Sequence, residues 1–548
     1  MSLRPFDAGP GQRPVTLAQG RPERGVAESR DDGTWMSRYA ALADQMYAIR
    51  RQYPELEQLG LSVLSPRHAP PPDHVRLVEA LNRNGQAAQL RAPSPAAIAL
   101  RWLRCLVYAV SETVRVIGLQ WRFGRALMAQ PADMIIRSWC FGPGGIPETG
   151  DFYFGTLSQQ LEARGLRCIL LCGDTRERND AAFAEGLLRS PGVRAMPDLL
   201  LLPWQAPLQI AMRQLRTALR LRRVAAQAES SGARAIAATA CRNSVEPITL
   251  RNTLQFDIAK SAVSRWQARV FITLYEGQPW EQQAWRGAKA GHPDCITVGY
   301  QHTVVMPHSL GVLQPPRING HPAGPDLVLC LGEITREMMA KGHEEPQRRL
   351  MTFGTFRRSG PALQAAPQPE RRTVLVVPET GVLREAKTVF NFALRAAEAL
   401  PEYRFLFRCH PAMPFERLRA QLDRGPEGLP NVEISVRPTI AEDFERASAL
   451  LYRGSSTVLY AVLHGLKPIY LEDPAFPDVD PLFAVTGWRE RIDSVDGLRR
   501  ALEQPANDAA WRAAVSYVDA YTVPVTAESI DRFIQAAGLA QPEVAACR

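Results

Sequence analysis

The chain has 548 residues, of which 46% are hydrophobic and 22% are charged. This length exceeds what one hydrophobic core can organise, and the composition is that of a globular protein, so two large domains with additional elements are expected. The formal net charge is +9, and nearly all of the basic residues are Arg. Because an Arg bias can reflect coding composition alone, no nucleic-acid partner is expected. An anionic membrane surface or a phosphate-bearing substrate suits the positive charge equally well.

The cysteines and the apolar runs indicate the cellular compartment. The nine cysteines are scattered and form no C-x-x-C pair, which is typical of reduced, buried thiols. The first twenty residues lack the apolar core of a signal peptide, and no uncharged apolar run reaches the length of a membrane span. We therefore expect a cytoplasmic protein that can contact the inner membrane peripherally.

The N-terminal quarter of the chain is predicted to be helical. Residues 1–34 are rich in Gly, Pro, Arg and Asp and are predicted to be disordered, and residues 35–130 are predicted to form a helical extension. Its longest helix spans residues 95–128, with a basic side opposite an apolar side that is edged with Trp. Such a helix suits an anionic membrane surface, but it equally suits packing on the protein core with its charges in water. The basic side consists of Arg101, Arg104, Arg115, Arg122 and Arg125, and the apolar side of Trp102, Leu103, Leu106, Val110, Ile117, Trp121 and Met128.

Strand and helix patterns alternate along the rest of the chain, which predicts an α/β protein with two doubly wound domains. The first domain is expected over residues 131–355, and its residues 208–224 form a second basic amphipathic helix that is a further candidate for membrane contact. The second domain is expected over residues 356–548, with a helical segment at 509–537. The predicted strands are 133–138, 167–171, 198–202, 233–237, 270–274, 295–300 and 326–330 in the first domain, and 373–377, 404–408, 432–435, 449–452 and 468–471 in the second.

Two strand ends in the second domain predict a phosphate-binding cradle. Pro411 favours an extended backbone at His410, so the imidazole should project from the carboxyl end of its strand. Gly454 permits a sharp turn after a later strand, and the hydroxyl-bearing residues 455–457 then open a helix whose free N–H groups attract anions. If the two strands are neighbours in a parallel sheet, both features flank one crevice. A His-Pro step can also be a simple turn, and a Ser-Ser pair can be only a helix cap.

Strand ends in the first domain carry candidate catalytic and acceptor-binding residues. Glu276 follows an apolar strand, and a half-buried carboxylate beside aromatic rings can have a raised pKa and act as a general base. Gln301 and His302 follow the next strand, and Asp151 lies in the first loop, so these three are candidates for binding the acceptor or the sugar. In the second domain, Glu379 at a strand end suits a ribose hydroxyl or a base amino group. Each of these residues could instead be an exposed loop carboxylate or a hydrogen-bonded core residue.

Several classes of enzyme are not indicated. The sequence contains no H-E-x-x-H motif, no calcium-binding D-x-D-x-D-G loop, no P-loop and no G-x-S-x-G elbow. This argues against phosphohydrolases, serine hydrolases and P-loop enzymes, and we expect no metal cofactor.

The second-domain motifs resemble those of a known group of enzymes. The segment Arg408-Cys409-His410-Pro411, followed by residues 453–457, is similar to the HP and S-S/T motifs of bacterial sialyltransferases and capsule Kdo transferases. Residues 275–281, 300–302 and 377–411 resemble surface-carbohydrate biosynthesis proteins of the same superfamily. The resemblance covers roughly residues 131–480.

The resemblance implies the GT-B fold, in which two Rossmann-like domains face a cleft, and a CMP-activated sugar as donor. By motif, it implies that His410, Ser455 and Ser456 bind the CMP phosphate. The expected nucleotide-binding residues at the second-domain strand ends are Glu379, Arg408, His410, Gly454, Ser455, Ser456 and Thr457. Those sialyltransferases carry an acidic motif for the catalytic base that has no clear counterpart here. Glu276 is therefore chosen on physical grounds, with His410 stabilising the leaving phosphate.

The expected function is the metal-independent transfer of a sugar from a nucleotide to a glycan or lipid-linked glycan acceptor. The donor sugar is expected to be a 2-keto sugar acid such as Kdo or a sialic-acid-like sugar. Three alternatives stay open: a CDP-alcohol phosphotransferase, a sugar-nucleotide epimerase on the same fold, and a non-catalytic scaffold for envelope assembly. The stereochemical course of transfer is also left open.

Overall fold

The computed structural model describes residues 32–67, 71–82, 90–126, 131–142, 144–175, 180–313, 317–318, 321–322, 324–341, 349–358, 366–378, 383–409, 413–473 and 478–539. Of the segment 1–34 predicted to be disordered, residues 1–31 lie outside these residues, and residues 32–34 are helical rather than disordered. His410, Pro411 and Glu379 also lie outside the described residues. No helix in the part of the chain that the structure describes is both long enough and apolar enough to cross a membrane.

The N-terminal extension is helical and packs on the first domain. It consists of α1 (Asp32–Gln52), α2 (Pro72–Asn82) and α3 (Pro95–Phe123). Ser94 caps α3 by accepting a hydrogen bond from the Ala97 N–H at 3.2 Å, and Pro95 at the first position requires no amide partner there. Between α1 and α2 the chain is joined to the first domain, where Gly60 N–H donates to Thr253 Oγ1 at 3.0 Å.

Helix α3 has two apolar faces rather than the one predicted. The buried face includes Cys105, Ala109 and Val116 and packs against the first domain, where Trp102 Nε1 donates to the Ala211 carbonyl at 2.8 Å. The opposite face is exposed and is also apolar. We call it the α3 stripe, and its residues recur at spacings of three and four: Leu100, Leu103, Val107, Val110, Val114, Ile117 and Trp121.

The first domain is built on a parallel sheet with strand order β3-β2-β1-β4-β5-β8-β9, and a separate hairpin pairs β6 with β7. Its strands read as continuous apolar runs because helices cover both faces of the sheet. The strands are β1 (Met134–Cys140), β2 (Cys168–Asp174), β3 (Ala195–Pro197), β4 (Val270–Leu274), β5 (Ile296–Tyr300), β6 (Arg317–Ile318), β7 (His321–Pro322), β8 (Leu327–Cys330) and β9 (Arg349–Thr352). The helices are α4 (Leu157–Glu162), α5 (Ala181–Leu188), α6 (Ala206–Gln227), α7 (Ser231–Ser244), α8 (Pro247–Trp266), α9 (Pro279–Gly291), α10 (Leu310–Leu313) and α11 (Glu333–Lys341).

Two of the strand predictions in this domain are wrong. Residues 233–237 lie inside α7, because Ser230 caps that helix and its alanines favour helical backbone. Residues 198–201 form a 3₁₀ turn, and the short strand precedes it. Asp198 is buried in that turn and its carboxylate accepts from Arg137 Nη2 at 2.8 Å. The apolar run there reflects burial of the turn rather than pairing in the sheet.

The second domain contains a parallel sheet with strand order β12-β11-β10-β13-β14-β15. Strands β11 and β13 are therefore not neighbours, since β10 lies between them, but all three strands end at the same edge. The strands are β10 (Thr373–Val377), β11 (Arg404–Phe407), β12 (Val432–Ile434), β13 (Ala449–Tyr452), β14 (Lys467–Leu471) and β15 (Glu490–Ile492). The helices are α12 (Leu383–Ala399), α13 (Phe415–Arg419), α14 (Ile440–Phe444), α15 (Thr457–Leu463), α16 (Val495–Glu503), α17 (Asp508–Tyr521) and α18 (Ala527–Ala536).

The C-terminal helices connect the two domains. The helical segment predicted at 509–537 is interrupted around Pro524, which forms an isolated bridge with Thr355 at the end of the first domain. After this break α18 packs on the first sheet, where Ile530 and Phe533 join the core cluster of β1 and β4. Two doubly wound sheets, with a C-terminal helix that returns to the first domain, form the GT-B fold, here with an N-terminal helical extension.

A buried histidine in the extension predicts a pH dependence of stability. His74 lies between Tyr39 Oη at 3.2 Å and the Val63 carbonyl at 3.0 Å. Burial, assisted by the charge of Arg67, lowers the pKa of His74 to about 3. Since the unfolded chain binds this proton near pH 6.5 and the folded chain does not, stability falls as the pH drops from 6.5 towards 3.

The variant His74→Gln should lack this component of the pH dependence. We expect the free energy of unfolding of the unmodified chain to decrease by up to about 1.4 kcal/mol more per pH unit than that of the variant. Urea unfolding of both proteins at pH 7, 6 and 5 measures the difference. If the free energy of unfolding depends equally on pH in the two proteins, His74 is charged in the folded state.

Candidate active site

Glu276 and His302 meet at the carboxyl edge of the first sheet. Strands β4 and β5 are neighbours, with Leu274 opposite Tyr300, so the second residue after each strand is brought to the same place. His302 Nε2 lies 3.2 Å from Glu276 Oε1, and Gln278 Nε2 donates to Glu276 Oε2 at 3.1 Å. The Glu276 side chain is 21% exposed, whereas that of His302 is 5% exposed. The structure thus provides an oriented carboxylate that solvent can reach.

The turn that carries Glu276 is held by a second carboxylate. Glu281, in the first turn of α9, accepts from the Glu276 N–H at 3.0 Å and from the Gln278 N–H at 3.0 Å. Burial, followed by the nearby charge of Glu276, raises the pKa of Glu281. Gly277 has a φ of +74°, and a Cβ there would lie 3.1 Å from the Pro66 carbonyl oxygen. The N-terminal extension therefore packs closely on this turn, and the positive φ together with the short contact favours glycine at position 277.

An aromatic wall and a cation border the Glu276–His302 pair. The Tyr153 ring packs edge-on against the His302 ring, with 5.0 Å between centroids. The Arg357 guanidinium lies over the Phe152 ring, 5.0 Å from its centroid, and is exposed. Burial, followed by the charge of Glu276, raises the pKa of Tyr153, and the charge of Arg357 opposes this increase. Arg357 is thus a cation near the pair that the sequence analysis missed, because it lies at the predicted boundary between the two domains and not at a strand end.

Asp151 and Gln301 lie close to this edge, but their polar groups bind their own loops. Asp151 is buried and accepts from Ser138 Oγ at 2.9 Å and from the Tyr153 N–H at 2.9 Å. Burial raises the pKa of Asp151. Gln301 is fully buried, where its Nε2 donates to the Thr303 carbonyl and its Oε1 accepts from the Leu331 N–H at 2.9 Å. Their roles in binding acceptor or sugar remain predictions.

The turn after β13 has the predicted shape. Gly454 has a φ of +69°, Ser456 occupies the N-cap of α15, and the Thr457 N–H donates to Ser455 Oγ at 3.3 Å. The Ser456 side chain makes no capping hydrogen bond. Ser456 and Thr457 are half-buried. The turn therefore places hydroxyl and amide groups at the carboxyl edge of the second sheet.

Two arginines form ion pairs with carboxylates at the carboxyl edge of the second sheet. Arg453 is buried, and its Nε pairs with Glu385 Oε2 at 2.5 Å while its Nη1 donates to Tyr470 Oη at 2.9 Å. Arg408 Nη1 pairs with Asp443 Oδ2 at 2.9 Å, so that this atom points away from solvent. The predicted contact of Arg408 with a nucleotide stays a prediction, and Arg453 instead fixes the start of the turn that contains Gly454.

The two edges belong to one interdomain region. Val304 and Met306, in the loop after β5, pack in the same core cluster as Tyr452 of the second domain. The Tyr521 hydroxyl donates to the Val305 carbonyl at 2.7 Å. On α15, burial raises the pKa of Tyr460, whereas the charge of Arg357 and a hydrogen bond with Thr355 lower it. Arg357 thus acts electrostatically on residues of both domains.

A cavity of about 320 Å³ lies beside this region, at the carboxyl ends of β1, β2 and β4. We call it the α3–α8 cavity because those helices form one of its walls. Asp198 in its lining pairs with the buried Arg137, whose guanidinium stacks 4.2 Å from the centroid of the Trp139 ring. Its lining includes Arg67, Tyr108, Glu112, Trp139, Asp174, Asp198, Ile248, Arg251, Gln278 and Trp280. The mixture of aromatic, acidic and basic groups suits a polar ligand with a ring.

Among the described residues, no group of three or more His, Cys, Asp or Glu side chains is arranged to hold a metal ion. The expectation that the reaction uses no metal remains a prediction.

No protein-family model matches the chain, and no curated protein matches it. Among solved structures it is similar to the glycosyltransferase of kitacinnamycin, with 16% identity over 74% of this chain and 99% of that chain and a TM-score of 0.43. A calicheamicin glycosyltransferase is 16% identical over 76% of this chain and 100% of that chain, with a TM-score of 0.43. The UDP-GlcNAc 2-epimerase from Methanocaldococcus jannaschii is 10% identical over 74% of this chain and 99% of that chain, with a TM-score of 0.41. The GT-B assignment rests on the strand orders and the returning C-terminal helix.

Proposed function

We propose that the chain is a glycosyltransferase that moves a sugar from a nucleotide to an acceptor hydroxyl. The observation that carries this proposal is the Glu276–His302 pair, which the β4–β5 register brings together at the edge of the first sheet. In open α/β sheets this edge is where ligands bind. The second sheet offers the Gly454 turn at its own carboxyl edge, and the two domains are in contact there.

Glu276 is the proposed base. Its carboxylate can receive a proton at the solvent-reachable side, since His302 Nε2 and Gln278 Nε2 hold the two oxygens in place. The acceptor hydroxyl then loses its proton to Glu276 as its oxygen attacks the anomeric carbon, and the bond from that carbon to the phosphate breaks. In a retaining route the same carboxylate would instead attack the anomeric carbon.

The leaving phosphate is proposed to bind at the turn after β13. The amide groups and hydroxyls of Ser455, Ser456 and Thr457 can donate to its oxygens, and His410 is proposed to reach it from the strand two positions away in the sheet. Arg357 adds a positive charge from the segment that follows β9. Donors that are fixed before the reaction stabilise charge as it develops on the leaving group, without reorganisation.

The donor is proposed to be a CMP-activated 2-keto sugar acid. CMP departs as a monophosphate, which carries less charge than a diphosphate, so that one imidazole, one guanidinium and a few N–H groups can neutralise it. The acceptor is proposed to be a surface glycan or a lipid-linked glycan that occupies the α3–α8 cavity, whose Gln278 also contacts Glu276.

Product analysis tests this proposal against its alternatives. The chain is incubated with acceptor and a panel of CMP-, CDP- and UDP-linked donors. The CMP-linked sugar should react, which releases free CMP and forms a new glycosidic bond to the acceptor. A sugar that stays on its nucleotide with inverted stereochemistry at one carbon would indicate an epimerase, and transfer of a phosphoalcohol would indicate a CDP-alcohol phosphotransferase. CMP binding without turnover over the whole panel would support a scaffold and contradict the transferase.

A further inference from the structure

The α3 stripe is a large apolar surface to which the proposed reaction assigns no role. Its seven side chains are between 47% and 89% exposed, with Trp121 the most exposed. Since the opposite face of α3 is buried in the first domain, this helix has two apolar faces, one of which faces solvent. The exposed face of a surface helix normally carries charged and polar residues. At 1.5 Å per residue, the 21-residue separation of Leu100 and Trp121 corresponds to about 32 Å of continuous apolar surface.

The charges beside the stripe are positive. At 100° per residue, Arg104 and Arg122 lie along one edge of the stripe. The neighbouring helix α6 exposes Arg216 and Arg223, together with the apolar Met212. Within the described residues, no ion pair involves Arg104, Arg216 or Arg223, whereas Arg122 pairs with a glutamate of α5. An apolar stripe with an excess of Arg beside it is complementary to a partner whose interior is apolar and whose outer layer is negatively charged.

We propose that the α3 stripe docks the protein on an anionic lipid bilayer, with α3 lying in the plane of the interface. The apolar side chains would enter the acyl boundary, Trp121 would sit at headgroup depth, and the arginines would contact lipid phosphates. The helix cannot cross the bilayer in this state, because its other face stays packed against α6 and α8.

Docking by this face would also position the α3–α8 cavity. Tyr108 and Glu112 of α3 line that cavity, and Ile248 is exposed on the same lining. A bilayer at the α3 stripe therefore lies beside the cavity, and a lipid-linked acceptor could extend its headgroup into it from the membrane. This second step rests on the proposed transferase function, whereas the docking itself does not.

A second copy of the chain fits the stripe less well. The spacing of three and four residues is that of a coiled-coil seam, but such seams are flanked by residues of opposite charge that pair across the interface. Here the flanking positions Arg104, Ser111 and Gly118 provide no carboxylate that could pair with an arginine of the other copy. Like charges across an interface disfavour association, so the arginine flanks favour lipid phosphates over a second copy.

Vesicle sedimentation with the full chain tests the proposal. Vesicles of phosphatidylcholine with 30% phosphatidylglycerol are compared with pure phosphatidylcholine. The test variant is Val107→Gln with Val114→Gln, which removes apolar surface from the stripe without adding charge and keeps residues that favour helix. Its matched control is Val436→Gln, because Val436 is 89% exposed in the second domain and far along the chain from α3.

We expect the unmodified chain and the Val436→Gln control to bind the anionic vesicles at least tenfold more tightly than neutral vesicles. We expect the double variant to lose at least tenfold of that binding with an unchanged circular dichroism spectrum. Undiminished binding by the double variant, or no binding by the unmodified chain, would overturn the proposal. A dimer in light scattering that the double variant converts to monomer would assign the stripe to a second copy instead. Neither readout requires turnover, so failure of docking is distinguishable from failure of the transferase proposal.

Discussion

Replacing Glu276 by Gln is expected to reduce sugar transfer by about a thousandfold, within the range that general acid–base catalysis contributes. Gln has nearly the same shape and can still hydrogen-bond His302 and Gln278, so the turn that Glu281 supports should persist. What is lost is the group that takes the proton from the acceptor hydroxyl. The change should appear in kcat rather than in donor binding, because the donor phosphate is proposed to bind at the opposite edge.

Release of CMP in the presence of acceptor measures this effect, with nucleotide binding followed in parallel by calorimetry. The matched control is Glu528→Gln, since Glu528 is an exposed residue of α18. Replacing His302 by Asn tests the supporting role of the imidazole and should reduce kcat less than the change at Glu276. Transfer at the unmodified rate in Glu276→Gln would exclude Glu276 as the base.

Replacing Glu385 by Ala is expected to destabilise the second domain by about 3–5 kcal/mol, because it removes the carboxylate that hydrogen-bonds the buried guanidinium of Arg453. Arg453 comes directly before Gly454, so the same change should loosen the turn that is proposed to hold the donor phosphate. Both a lower unfolding midpoint and weaker CMP binding are therefore expected.

Urea denaturation and CMP titration of Glu385→Ala measure these two effects. The control is Glu433→Ala, which removes a carboxylate from a half-exposed ion pair with Arg446 and should cost no more than about 1 kcal/mol. Replacing both members of the buried pair, Glu385→Leu with Arg453→Met, should recover stability, since no isolated charge is left. Equal losses in Glu385→Ala and the control would mean that the buried pair does not hold the turn.

The strand ends could be predicted from the sequence because apolar runs that stop at polar residues mark the carboxyl edge of a parallel sheet. The runs before Glu276 and His302 are of this kind, and so is the run before Gly454. What the sequence could not provide is the order of the strands. The direct contact of Glu276 with His302 depends on β4 and β5 being neighbours, and the separation of β11 from β13 depends on β10 lying between them.

Residues whose role depends on the tertiary structure were missed. Arg357 lies in a segment without periodicity, and only the packing of the two domains places it near Tyr153 and Tyr460. On α3, a helical wheel shows which residues are apolar but not which of two apolar faces is covered. The small residues Cys105 and Ala109 allow close packing against α6, and this leaves the bulkier stripe exposed.

Local propensity explains the errors in secondary structure. An apolar stretch of four to five residues fits a strand and a buried helix equally well. At residues 233–237 the helix is favoured by the alanines and by the Ser230 cap. At Asp198 a buried ion pair with Arg137 stabilises a turn where the apolar pattern alone predicts a strand.

We propose that a nucleotide binds between the two sheet edges with its phosphate at the turn after β13. A crystal structure of the chain with CMP tests it most directly. The phosphate should lie within hydrogen-bond distance of the Ser456 and Thr457 amides and of the His410 imidazole, on the side of the cleft opposite Glu276. A CMP molecule bound elsewhere, with this turn empty, would contradict the claim.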